Sequence, residues 1–225
     1  MQARSSMTSS LVTFMGCKSS FLGWMSPPDV YWFPYWCCQS YPGAPPFSVT
    51  LPAVRVLGID CGGEYTGYGV VEQGTDAGLQ IVCCGTIRLS TREPLPVRLN
   101  RVFERLREVI ADVHPKMVAI EDVFYAVNAK SALKLGQVRG VAMLAASSCG
   151  LEVAEYSPLS IKSAVVGYGR AEKSQVQHMV TKLLNLTEPP ESPDAADALA
   201  IAICHLHTWT TLQRQRPSKP ASCRA

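Results

Sequence analysis

Four acidic side chains stand where their surroundings would hold them still. Asp60 closes an apolar run containing Val54, Val56, Leu57 and Ile59, and Gly62-Gly63 follow it. Glu121 closes a second run, Met117-Val118-Ala119-Ile120. Asp194 and Asp197 open the segment Asp194-Ala195-Ala196-Asp197-Ala198-Leu199-Ala200-Ile201-Ala202. Residues three apart share one face of a helix, so these two acids point the same way. Each acid has an ordinary reading. Asp60 could simply begin a hairpin turn, and acids in a first helical turn favour the helix dipole. Together they suggest more. If the strand ends and the helix start converge, four carboxylates meet in one cleft and repel one another by several kcal/mol. Divalent cations relieve that repulsion. Hard, all-oxygen ligands suit Mg²⁺ or Mn²⁺ rather than zinc. Two such ions about 4 Å apart stabilise the attacking and leaving oxygens of an in-line phosphoryl displacement.

The elements that must position these acids are readable in outline. Strands are expected at about 54–60, 66–72 and 79–88, with Asp76-Ala77-Gly78 in the last connection. Leu95, Leu99, Val102, Leu106, Val109 and Val113 recur at helical spacing over 95–113, with Arg and Glu on the other face. His114-Pro115 stops that helix. A short strand at 117–121 follows. Asn128 caps a helix over 129–148 that is rich in Gly and Ala. A strand at 153–156 and helices at 158–166 and 172–185 come next. The last helix spans 193–209, with Pro193 in its first turn. The fold class is α/β: a mixed sheet with helices on its faces.

The ends differ from the middle. Residues 1–52 carry Trp24, Trp32, Trp36, Cys37 and Cys38 with no periodicity, and read as an N-terminal extension, either disordered or preceding the true start, with an extra ordered arm as the alternative. A targeting role for this stretch lacks the arginines that would support it. Residues 211–225 read as a basic, disordered tail. The domain between, 53–210, has 15 basic and 17 acidic residues, so no global positive footprint marks a nucleic-acid binder. A polyanion would need a local patch or bound cations. No uncharged apolar run reaches 18 residues, which excludes a spanning helix of the usual kind. The nine cysteines form no Cys-x-x-Cys pair, and read as reduced thiols in a cytoplasmic protein.

From about Arg55 to Thr208 the chain resembles the RuvC family, bacterial Holliday-junction resolvases with an RNase H-like fold. The matching segments are Leu-Gly-Ile-Asp with Thr-Gly-Tyr-Gly at 57–69, and Ala-Ile-Glu-Asp-Val-Phe at 119–124. Asn128 follows, with Ser-Ala-Leu-Lys-Leu-Gly-Gln-Val-Arg-Gly at 131–140. Then come Val-Val-Gly-Tyr-Gly-Arg-Ala-Glu-Lys-Ser-Gln-Val-Gln-His-Met-Val at 165–180 and the Asp-rich segment at 194–202. Their order and spacing together are highly specific. The resemblance puts the family's four metal-binding acids on Asp60, Glu121, Asp194 and Asp197, the same four reached from their surroundings. It implies a Mg²⁺-dependent endodeoxyribonuclease, with two ions per site and Mn²⁺ able to substitute. It implies paired nicks in opposed strands of a four-way junction, leaving 5′-phosphate and 3′-hydroxyl ends. It also implies a homodimer working in recombination and repair in the cytoplasm, with the branch-migration proteins RuvA and RuvB. Two departures concern the turn after Asp60. Cys61 stands where the family usually has Pro, and Gly63 replaces a more usual Ser; either could loosen that turn.

Candidates for DNA contact are Phe124, Lys162, Lys173, Lys130, Lys134 and Arg139. Phe124 could stack on or wedge between bases, and otherwise packs in the core. The lysines and Arg139 could meet phosphates or form a basic rim, and otherwise are solvated surface residues. His178 either touches DNA or is simply exposed. Cys204-His205-Leu206-His207 looks like a metal box but lies two helical turns past Asp197, and reads as packing. The small residues of the 129–148 helix, Gly136 and Gly140 above all, offer a contact for a partner helix or a seat on the chain's own sheet.

Three rivals remain. A sugar-kinase or actin-like ATPase also has a strand, Asp and Gly loop, but needs two such domains. An RNase H-like RNA-processing nuclease lacks the Ala-Glu-Lys-Ser-Gln-Val segment. A catalytically weak junction-binding protein would not need all four acids.

Overall fold

The computed structural model describes residues 53–74, 78–122 and 129–215. The N-terminal extension, Asp76, Phe124, Asn128 and the end of the tail lie outside the described residues. The elements run β1 (Val54–Cys61), β2 (Tyr65–Gln73), β3 (Leu79–Arg88), α1 (Leu95–Val113), β4 (Met117–Glu121), α2 (Ala129–Ser148), β5 (Glu152–Tyr156), α3 (Pro158–Val166), α4 (Lys173–Leu183) and α5 (Pro193–Gln215).

The described strands form one sheet in the order β3-β2-β1-β4-β5. β1, β2 and β3 are an antiparallel meander, and β4 and β5 join parallel to β1. Alternation along each strand divides the core in two. Val54 and Val56 of β1, Val71 of β2 and Ala119 of β4 face α3, α4 and α5. Leu57, Ile59, Val70, Val118 and Ile120 face α1 and α2. The helices therefore cover both faces of a mixed sheet, as the sequence leads one to expect.

Two details differ from the sequence reading. The last helix continues to Gln215 rather than ending at 209. Its threonines return their hydroxyls to the helix backbone: Thr208 donates to the Cys204 carbonyl at 2.9 Å and Thr210 to that of Leu206 at 2.7 Å. Thr210 also lies 3.0 Å from Oε1 of Gln73, and Trp209 packs against the core. The second difference is Arg98. It counts with the polar face of α1, yet it is 7% exposed. Its guanidinium turns inward to the carbonyl of Gly63, in the turn that follows β1.

Candidate active site

The sheet brings the first two acids together. β1 and β4 are parallel neighbours with Ile59 opposite Ile120, so Asp60 and Glu121 are the next residues of adjacent strands. Neighbouring strands lie about 4.8 Å apart, and in-register side chains share a face. That face is the one α5 covers, because Val56 and Ala119 occupy it.

Three glycines let α5 lie close enough to add the other two. Gly67 is the cross-strand partner of Asp60, and Gly69 that of Gly58. A Cβ on Gly67 would fall 2.0 Å from the Asp194 carbonyl oxygen, and one on Gly58 would fall 2.0 Å from that of Ala198. A Cβ on Gly69 would meet the Leu199 side chain at 2.7 Å. All three sit on the α5 face and remove the side chains that would lift the helix. Its first turn, with Asp194 and Asp197, consequently rests over the end of β1.

The electrostatics report the crowding. Burial, and then the charges of Glu121, Asp197 and Asp194, push the Asp60 carboxyl up to about 7. Glu121 is also raised, first by burial and then by Asp197, against the opposing pull of Lys173 and Lys162. Lys173, at the start of α4, places Nζ 2.5 Å from Oδ2 of Asp197. That contact, the largest influence on it, holds the Lys173 ammonium above its usual range. Beside them lies a shallow cleft of about 160 Å³, bordered by Glu121, Lys162, Lys173 and Asp197 and floored by Ile161 and Ile201.

The donors suit a hard cation: all four are carboxylates, and Asp60 is raised first by burial and then by the charges of the other three. Among the described residues, however, no three His, Cys, Asp or Glu side chains close around a single point to cage an ion. Mg²⁺ does not require such a cage. It usually keeps several waters and binds one or two carboxylates together with substrate phosphate.

The turn after Asp60 is held rather than loose. Cys61 extends the ladder opposite Thr66 and packs toward the α1 and α2 side. Burial pushes its thiol up to about 12, so it stays protonated. Arg98 holds the Gly63 carbonyl, and the Leu89 amide donates to the Glu64 carbonyl at 2.7 Å.

The other sequence candidates divide. Lys162 is half-buried and Lys173 exposed, both beside the acids. Lys130 and Lys134 are exposed on the first turns of α2. Arg139 is otherwise engaged. Its side chain is 17% exposed, pairs with Glu155 and, at 3.6 Å, with Asp122, and donates to the Glu121 carbonyl at 3.2 Å. It therefore braces the end of β4 and lends little charge to a rim. His178 is exposed. His205 is buried, 2.9 Å from the Tyr156 hydroxyl, and His207 lies 3.0 Å from the Ala164 carbonyl, so this pair is packing. Phe124 lies outside the described residues.

The sequence reading misses Arg98 and the glycine floor. The floor has a signal: Gly67 and Gly69 alternate within a strand, which clears one face only. Arg98 has none, since an arginine in an amphipathic helix is ordinary.

Known proteins resemble this chain in sequence and in fold. The family model described as "Crossover junction endodeoxyribonuclease RuvC" matches residues 56–205. The RuvC of Koribacter versatilis is 63% identical over 161 residues, covering 72% of this chain and 97% of that protein. The RuvC of Acidobacterium capsulatum is 55% identical over 169 residues, covering 72% and 99%. Among solved structures, Thermus thermophilus RuvC in complex with Holliday junction substrate superposes with a TM-score of 0.65 at 31% identity, covering 70% of this chain and 96% of that one. The yeast mitochondrial Holliday junction resolvase Ydc2 shares the fold, with a TM-score of 0.56 at 18% identity, covering 75% and 84%. The fold is RNase H-like, and the chain belongs to the RuvC family of crossover junction endodeoxyribonucleases.

Proposed function

We propose that the chain resolves Holliday junctions by paired, Mg²⁺-dependent nicks in two opposed DNA strands, leaving 5′-phosphate and 3′-hydroxyl ends. The observation that carries this is the joint placement of Asp60 and Glu121 at neighbouring parallel strand ends, with the first turn of α5 laid over them. Asp60, Glu121, Asp194 and Asp197 are the residues that would hold the ions. Divalent cations, when bound, would neutralise these acids, acidify the attacking water and stabilise the leaving oxygen.

The protein's own part is placement and charge. Asp60 and Glu121 are fixed by strand hydrogen bonding, so two donors keep a constant separation. Asp194 and Asp197 are fixed by the helix seat on Gly58 and Gly67. Lys173 serves as internal counter-ion to Asp197 while the acids have no other cation. With cations held by the acids, that ammonium would be released to meet a substrate phosphate, with Lys162 across the cleft. No protein nucleophile is needed; Cys61, the nearest thiol in sequence, is held protonated.

A homodimer would supply the second nick. Family resemblance supports work in recombination and repair in the cytoplasm, alongside RuvA and RuvB. Among the described residues, no helix is long and apolar enough to cross a membrane. A synthetic four-way junction incubated with and without Mg²⁺ tests the reading. Two symmetric nicks that ligase can seal, absent without the cation, are expected. Intact junctions with Mg²⁺, or cation-independent cutting, would overturn it.

A further inference from the structure

A second polar cleft, of about 320 Å³, lies at the end of the β2–β3 hairpin. Glu64, Tyr65, Arg88, Ser90, Thr91 and Arg92 line it. Its walls are tied in place. The Leu89 amide donates to the Glu64 carbonyl at 2.7 Å, and Leu89 is 1% exposed. The Glu93 amide donates to the Ser90 carbonyl at 3.1 Å, and Glu93 takes both ends of the Arg101 guanidinium at 2.7 Å. The two arginines of the cleft differ from that pair. Both are exposed, and among the described residues neither guanidinium has a hydrogen-bond or ion-pair partner.

Position relates this cleft to the acids. Arg88 is the cross-strand partner of Tyr65, which lies two residues along β2 from Gly67, the partner of Asp60. Alternation puts Tyr65 and Arg88 on the same sheet face as Asp60. With strands about 4.8 Å apart and about 3.4 Å per residue, the cleft lies on the order of 12 Å from Asp60. A DNA strand carries one phosphate per roughly 3.4 Å of rise, so one strand spans both places within a few nucleotides. The fork of a guanidinium fits phosphate oxygens, and the Tyr, Ser and Thr hydroxyls add donors.

Resting on the junction-nuclease reading above, we propose that the Arg88–Arg92 cleft binds backbone phosphates of the DNA strand that continues from the cutting site. Each arginine neutralises one phosphate. Glu64, at the lip, opposes them and keeps the contact weak enough to release.

Junction binding by the full chain, measured over a range of salt with a chelator present to keep the DNA intact, tests this. Arg88→Ala/Arg92→Ala should bind more weakly. The slope of log affinity against log salt should fall in magnitude by about 1.8 per engaged protomer, at about 0.9 per phosphate. Glu64→Gln should bind more tightly than the unaltered chain. All three are surface changes, and an unchanged unfolding midpoint would establish that each protein is folded. A double variant with unaltered slope and affinity would overturn the cleft assignment and leave the nuclease reading intact. An unaltered chain that fails to bind four-way junctions at any salt would overturn both.

Discussion

Asp60 has the most perturbed carboxyl of the four, and the direction of its shift makes two predictions. An unfolded Asp titrates near about 3.9, whereas the folded protein holds Asp60 near 7. Between those values the folded chain keeps a proton that the unfolded chain has lost. Without divalent ions, stability should therefore fall as pH rises from about 4 to about 7. Asp60→Asn should flatten that decline, which thermal unfolding across pH would register. Mg²⁺ should offset this trend: the cation competes with the proton, so the rise in unfolding midpoint that it brings should grow as pH rises toward about 7 and level off above it. The second prediction concerns turnover. Asp60→Asn, Glu121→Gln, Asp194→Asn and Asp197→Asn should each cut cleavage by more than the 10–100-fold that loss of an outer partner of a metal ligand typically costs. Junction binding should persist or tighten, since a negative charge is removed. A variant that still cuts at near the normal rate would remove its residue from the site.

At the scale of elements, the site depends on how closely α5 approaches the sheet. Gly67→Ala would press a methyl onto the Asp194 carbonyl, a backbone atom that moves only with the helix. A loss of about 1–3 kcal/mol and nearly complete loss of cleavage are expected, because Asp194 and Asp197 shift together. Gly63→Ala meets nothing within 4 Å among the described residues and should change stability by less than about 0.5 kcal/mol. Comparing the unfolding midpoints and nicking rates of the two variants checks the contrast; equal effects would mean that the glycine floor does not set the site. The same close approach explains how much was legible in advance. An acid ending an apolar strand is a local signal, so Asp60 and Glu121 stand out in the sequence. Helical spacing likewise puts Asp194 and Asp197 on one face. What brings the two pairs together is strand order and the helix seat, which periodicity does not encode. Arg98 and Arg139 were illegible for a related reason. Arg98 reaches a carbonyl 35 residues away, and Arg139 meets Glu155 across two elements. Nothing in an arginine's sequence neighbours distinguishes such a brace from a solvated charge.

At the scale of the whole molecule, the described residues hold one cluster of acids, while a four-way junction has two strands to cut. The RuvC family match begins at residue 56 and the first strand at Val54, so a chain starting at Ala53 should fold and cleave like the full one. Inactivity of that shorter chain would assign residues 1–52 to the working protein. On the proposed reading, two coordinated nicks would call for two copies related by a two-fold axis. The small residues of α2 divide between two faces. Ala142, Ala145 and Ala146 are buried against the chain's own core. Among the described residues, Gly136 and Gly140 have nothing within 4 Å of an added Cβ, and Leu133 and Leu144 nearby are 70% and 59% exposed. An apolar, exposed seam with glycines at its centre is what a partner helix would use for close approach. Gly140→Leu is accordingly a clean test, since a leucine there does not crowd this chain's interior. A folded monomer by sedimentation, with weak junction binding and single nicks, is the expected result. A normal dimer with paired nicks would place the two-fold contact on another surface.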